Sequence, residues 1–327
     1  MSLTKRFVVM AMAVLAFYSP TDASDMLDAL RDAQKANIGR YPSGEMHVIF
    51  RQGEIGAVTS HRYADCRVQW SGRKVRTTVE RWRLKNRREV PTTPSSFQEQ
   101  WIVDETRAAC FTPHSQRVSV DPLSTHEPPV YALLAPETSW YGAWGGRGAN
   151  WLDYLTPELM INVDHSQVTY QVKSIDEDQT EVMIRNPVYN LSAKLTMSLR
   201  TDGNVIANEA IAPGGNSPEK AGICHWKQDA KGRWYVASRK EDLTFRMSGN
   251  AVMYYELETL EFSPDRKIDP SRFTIESFAV RDGGTIRDGV EGQLFRVGDR
   301  SVESVTNQLD GLAKTLRVRG FAAENRP

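Results

Sequence analysis

The chain has 327 residues, 40% of them hydrophobic, with 41 Lys and Arg against 41 Asp and Glu, a formal net charge of zero at pH 7. Such a balance creates no overall field toward nucleic acid or an anionic membrane, and a dedicated nucleic-acid binder is more basic. The length suffices for one large domain or two modest ones around a substantial core.

The first 23 residues have the layout of a secretory signal peptide: Lys5 and Arg6, an apolar run from Phe7 to Tyr18, and the exit Pro20-Thr21-Asp22-Ala23. The run of about 12 residues falls short of the roughly 20 that a membrane span needs, so export and cleavage after Ala23 are expected, with an uncleaved anchor as the alternative. No cysteine lies near the cut, which argues against lipid attachment. Cleavage would remove two cations and one anion and leave a net charge of −1.

Residues 25–37 read as a short amphipathic helix with Leu27, Leu30 and Ala33 near one face, ended by Tyr41-Pro42-Ser43-Gly44. The periodicity then switches to two. Cys66, Val68 and Trp70 alternate with polar neighbours, as do Trp101 with Val103 and Val118 with Val120. The clearest run is Leu191, Ala193, Leu195, Met197 and Leu199, a half-buried antiparallel strand. Further strands are expected at Val168 to Val172, Glu181 to Arg185, Val205 to Ile211, Trp234 to Ala237, Leu243 to Met247, Val252 to Phe262 and Phe273 to Phe278. Turns such as Thr201-Asp202-Gly203-Asn204 and Ala230-Lys231-Gly232 separate them at hairpin spacing. Helices long enough for parallel crossovers are scarce, so the expected fold is β-rich α+β, built on one large antiparallel sheet that curls or closes. A curled sheet has a concave face to fill.

Two segments interrupt the strands. From about residue 128 to 160 the chain is apolar and aromatic, with Leu133, Leu134, Trp140, Trp144, Trp151 and Tyr154 around Gly145-Gly146-Arg147-Gly148, a run that permits a hinge. It reads either as a core plug at the open end of the sheet or as a lid over a hydrophobic cleft. Residues 301–318 place Val302, Val305, Leu309, Leu312 and Leu316 at steps of three and four, as a docking or oligomerising helix does.

Chemical motifs are few. The chain has no Gly-x-Ser-x-Gly, P-loop, His-Glu-x-x-His or Cys-x-x-Cys sequence, so no cofactor, metal or catalytic group is expected. Three cysteines in an exported chain predict one disulfide, with Cys66 and Cys110 the first choice of the three pairings; the alternative is that all three are buried and reduced. Glu256 and Glu258 alternate in register with Tyr254, Leu260 and Phe262, and read either as an inward polar pair or as a strand turning to solvent. The basic run from Arg81 to Arg88 can bind phosphates, but reads more simply as a strand end passing into a solvated turn.

The order of elements resembles the LolA/LolB-like superfamily of bacterial periplasmic lipoprotein and lipid carriers, which includes RseB-like and LppX-like proteins, and in particular its planctomycete type. The resemblance rests on the exported start, the helix from Asp25 to Ala36, the run of strands, and Pro128-Pro129-Val130-Tyr131-Ala132-Leu133-Leu134. Ile268-Asp269-Pro270-Ser271-Arg272-Phe273-Thr274-Ile275, read as the start of a near-terminal strand, and Gly283-Gly284-Thr285-Ile286-Arg287-Asp288 complete it.

The resemblance implies an unclosed barrel wrapped around a few helices, spanning residues 24–290, with the aromatic insertion at about 128–160 and a C-terminal extension over 291–327. It implies a soluble periplasmic carrier or sensor of lipid or acylated protein, with Leu133, Leu134, Trp140, Trp144, Trp151 and Tyr154 at the cavity entrance. The alternatives are an envelope protein-interaction module and an unrecognised hydrolase.

Overall fold

Alternating side chains on consecutive hairpins build one large sheet. The computed structural model describes residues 25–30, 32–33, 41–56, 61–72, 74–95, 97–104, 107–122, 169–187, 191–211, 218–245, 251–289 and 294–298. The first meander comprises β1 (Ser43–Glu54), β2 (His61–Ser71), β3 (Lys74–Leu84), β4 (Phe97–Val103), β5 (Arg107–Thr112) and β6 (Arg117–Pro122). The second comprises β7 (Thr169–Ser174), β8 (Gln179–Asn186), β9 (Leu191–Ser198), β10 (Asn204–Ile211), β11 (Pro218–Gln228), β12 (Trp234–Phe245) and β13 (Ala251–Pro264). Two short strands follow, β14 (Thr285–Asp288) and β15 (Leu294–Arg296).

The sheet order is β15-β14-β6-β5-β4-β3-β2-β1-β13-β12-β11-β10-β9-β8-β7, open at both edges. The two meanders join where β13 pairs antiparallel with β1. All pairs are antiparallel except β14 with β6. The β14–β15 hairpin carries the sheet past residue 290.

One face of the sheet holds two apolar clusters. Met46, Val48, Phe50, Cys66, Val68, Trp70, Val75 and Val79 form the first, with Trp226, Tyr255 and Phe262 packed on it. Val182, Ile184, Ala193, Leu195, Met197 and Val205 form the second, together with Leu27 and Leu30 of the helical residues 25–30. The expected alternation of Ala193, Leu195 and Met197 is met, whereas Leu199 leaves the strand in a 3₁₀ turn and is exposed.

At the β4–β6 end the apolar cover changes sides. Ile102, Ala109, Phe111, Val118, Val120 and Ile286 face the opposite way and are packed by Phe273, Ile275 and Phe278. The strands expected around Ile268 to Ile275 and Phe273 to Phe278 are instead the 3₁₀ turns Pro270–Phe273 and Ile275–Phe278. Pro270 fixes φ, and the Asp269 side chain accepts from the Ser271 amide at 2.9 Å, which starts a turn rather than a strand. The buried Arg76 guanidinium of β3 holds this segment by donating to the Arg272 carbonyl, to Ser277 Oγ and to Gln100 Oε1.

The expected Cys66–Cys110 disulfide does not form: both are free thiols, as is Cys224. Cys66 lies opposite Val79 on β3, Val79 opposite Glu99 on β4, and Trp101 of β4 opposite Cys110 on β5. Three strand spacings amount to roughly 14 Å, twice the span of about 7 Å that a disulfide tolerates between Cα atoms. Burial pushes the Cys110 thiol up to about 12 and Cys66 higher still. Iodoacetamide at pH 8 is therefore expected to leave both unmodified in the folded protein and to label them after unfolding. An intact mass that rises on reduction would overturn the free-thiol assignment.

Candidate functional site

At the junction of β1, β12 and β13 the face away from the first apolar cluster is polar, and a second polar group is buried on the cluster face along β10 to β12. The geometry of the junction follows from a β-bulge. Val48 lies opposite Thr259 and His47 opposite Glu261, which leaves Leu260 as the extra residue, 50% exposed. The bulge turns Phe262 onto the face of Leu257 and Phe50, and leaves Tyr254, Glu256 and Glu258 on the other. The expectation that Glu256 and Glu258 share a face with Phe262 is corrected by this single inserted residue.

On the Glu256 face, Gly53 lies opposite Tyr254. A Cβ at Gly53 would stand 2.5 Å from His61 Nδ1 and 3.1 Å from the Tyr254 ring, so the missing side chain is what lets the two meet. The Tyr254 hydroxyl and His61 Nδ1 are hydrogen-bonded at 2.9 Å. The Arg87 guanidinium lies 4.2 Å from the centre of the Tyr254 ring and donates to Glu256 Oε1 at 2.6 Å. That bond to Glu256 raises Arg87 further above its usual range, so its charge is fixed. Burial raises the Tyr254 hydroxyl, and the Arg87 charge pulls it partly back.

Arg51 stands opposite Glu256 across the β1–β13 pair, 5.2 Å over the Tyr63 ring and 3.6 Å from Glu258. Tyr63 packs edge-on against Trp82. The turn after β3 supplies the remaining groups: Asn86 Oδ1 accepts from the Arg88 amide at 3.1 Å and Glu89 accepts from the Lys85 amide at 2.9 Å, which folds Arg87 and Arg88 back toward the sheet. Arg51, Arg87, Arg88, Lys240 and Glu256 line an open hollow of about 520 Å³.

On the opposite face, a buried polar group separates the two apolar clusters. Arg239 donates to Glu241, with 4% and 6% of their surfaces exposed. Gly222 lies opposite both Glu241 and Asn208. A Cβ at Gly222 would fall 2.5 Å from Asn208 Oδ1 and 2.8 Å from Glu241 Cγ, so the glycine provides their space. Asn208 is 1% exposed, and among the described residues neither its Nδ2 nor its Oδ1 has a hydrogen-bond partner. Gln52 is buried on the same face.

The expected entrance residues Leu133, Leu134, Trp140, Trp144, Trp151 and Tyr154 lie outside the described residues, as do the signal segment and the 301–318 helix. Among the described residues, no three His, Cys, Asp or Glu side chains converge as a metal site, and no helix is long and apolar enough to cross a membrane. Sequence reading singles out Glu256 and the Arg81–Arg88 run but not Arg51, Lys240, Asn208 or the Arg239–Glu241 pair. These come together only through the strand order.

The fold defines an open, strand-rich sheet protein with polar groups at its central junction. No protein-family model matches the chain, and no curated protein matches it. Among solved structures it is similar to an uncharacterised conserved protein from Thermus thermophilus, at 11% identity over 79% of this chain and 96% of that one, with a TM-score of 0.31. It is also similar to a porin-like protein from Bacteroides uniformis, at 8% identity over 67% and 96% of the two chains, with a TM-score of 0.27. These similarities do not show a LolA/LolB-like relationship.

Proposed function

We propose that this is an exported binding protein of the bacterial cell envelope, which carries or senses lipid, lipoprotein acyl chains or similar apolar ligands against the apolar face of its sheet. The observation that carries the reading is the Asn208 amide, buried and without a partner between two apolar clusters. An unpaired buried amide costs about 1–3 kcal/mol. A ligand that sets a carbonyl or hydroxyl beside a hydrocarbon chain offsets that cost, and each methylene it buries contributes about 0.8 kcal/mol. Acyl esters and acyl amides have this chemistry.

In this reading the sheet wraps around helices in the LolA-like manner, which the packing of Leu27 and Leu30 on the second cluster supports. Leu133, Leu134, Trp140, Trp144, Trp151 and Tyr154 form the cavity entrance. No reaction is assigned. Organic extraction of the purified protein followed by mass spectrometry is expected to yield bound lipid. Added oleate is expected to change the fluorescence of Trp226, whose indole donates to the Val205 carbonyl beside the second cluster. Asn208→Leu should weaken binding of an acyl ester by about tenfold, the equivalent of one hydrogen bond. Absence of both co-purified lipid and any fluorescence response would overturn the reading.

A further inference from the structure

We propose that the hollow on the Glu256 face is a second binding site, which takes a phosphoryl group. Four cationic side chains, Arg51, Arg87, Arg88 and Lys240, line it together with one carboxylate, Glu256. Two of the cations are oriented in advance. Arg87 is held by the Tyr254 ring and Glu256, and Arg51 by the Tyr63 ring with Glu258 beside it. A guanidinium held over a ring loses little rotamer freedom on binding, and its fork matches the oxygens of a phosphoryl group.

The other two cations are uncommitted. Among the described residues, neither the Arg88 guanidinium nor the Lys240 ammonium enters a salt bridge, although Glu256 stands opposite Lys240 across the β12–β13 pair. Glu256 and Glu258 are matched by Arg87 and Arg51, and Asp242, the remaining nearby acid, stands opposite Tyr254 on the same face. Four cations thus stand against three carboxylates, a net excess of one positive charge that favours an anionic ligand, and the two uncommitted cations can each meet a phosphoryl oxygen. The hollow is larger than a phosphate, which leaves room for the group esterified to it.

The site lies on the opposite face from Asn208 and does not rest on the apolar-ligand reading: a chain that carries no lipid can still bind phosphate here. Calorimetry of the full chain with inorganic phosphate and with glycerol 1-phosphate tests a soluble source. Sedimentation with phosphatidylcholine vesicles, with and without phosphatidic acid, tests a lipid headgroup. Saturable binding in either arm, weakened by about tenfold or more in Arg88→Gln/Lys240→Gln, supports the site and names its source. Lys227→Gln, at an exposed lysine of β11 outside the hollow, should leave binding unchanged, and Lys240→Arg should preserve it. Both exchanged residues are exposed, so the thermal midpoint should not move. Absence of saturable binding in both arms, or equal binding by the double variant, would overturn the proposal.

Discussion

Glu241→Leu is expected to lower the free energy of unfolding by about 3–5 kcal/mol, because it leaves the Arg239 guanidinium buried without its carboxylate. Arg239→Met combined with Glu241→Leu is expected to recover most of that loss. Two apolar side chains of similar volume need no desolvation, and they would join the flanking clusters that contain Leu257 and Leu195. Urea unfolding of the wild type and both variants provides the measurement, with a shifted midpoint and an unchanged slope as the expected form. If the double variant is as unstable as the single one, the pair is not acting as an isolated buried charge pair.

The second large effect is expected at Trp70. Its indole is 1% exposed, donates to the Tyr41 carbonyl at 2.9 Å, and stacks on Phe262 with ring centres 6.1 Å apart. Phe262 in turn stacks on Tyr235 at 4.4 Å and meets Tyr41 edge-on. Trp70→Ala removes the centre of this group and should cost about 3–5 kcal/mol. Gly44 faces the same ring so closely that an added Cβ would fall 2.3 Å from an indole carbon and 3.0 Å from the Ser263 carbonyl. Gly44→Ala should therefore cost about 1–3 kcal/mol by overpacking. In a Trp70→Leu background the same change should cost clearly less, since the indole clash goes while the 3.0 Å contact with the Ser263 carbonyl remains. Equal costs of Gly44→Ala in both backgrounds would show that the strain lies elsewhere.

Much of the sheet is legible in the sequence, because a strand with one covered face writes its burial in every second residue. Cys66, Val68 and Trp70 are buried as their alternation implies, and the turn at Thr201 to Asn204 closes a hairpin in which Asp202 and Gly203 take positive φ. Alternation fails where backbone geometry interrupts it. The extra residue at Leu260 reverses the facing of Phe262 relative to Glu256, and Asp269-Pro270 turns an apparent strand into 3₁₀ structure.

The site is less legible than the fold. In Arg239-Lys240-Glu241-Asp242 the four charges look alike, yet Arg239 and Glu241 are buried while Lys240 and Asp242 are exposed. The hollow draws residues from β1, β12, β13 and the turn after β3, and no local pattern reveals that β1 and β13 are neighbours. Only Glu256 and the basic run ending at Arg88 carry a local signal.

That neighbourhood also bears on how the chain assembles. Each meander pairs strands consecutive in the chain, whereas the β1–β13 seam pairs residues as distant in sequence as Gly44 and Pro264. Closing so long a loop yields no favourable contact until both halves exist, which makes distant pairings of this kind slow. The seam is therefore expected to close last, after the two half-sheets. Until it closes, β1 and β13 each present an unpaired edge open to association with another chain. The Arg51–Glu256 register and the hollow around it come into being in that final step, so occupancy of the hollow would report completed folding.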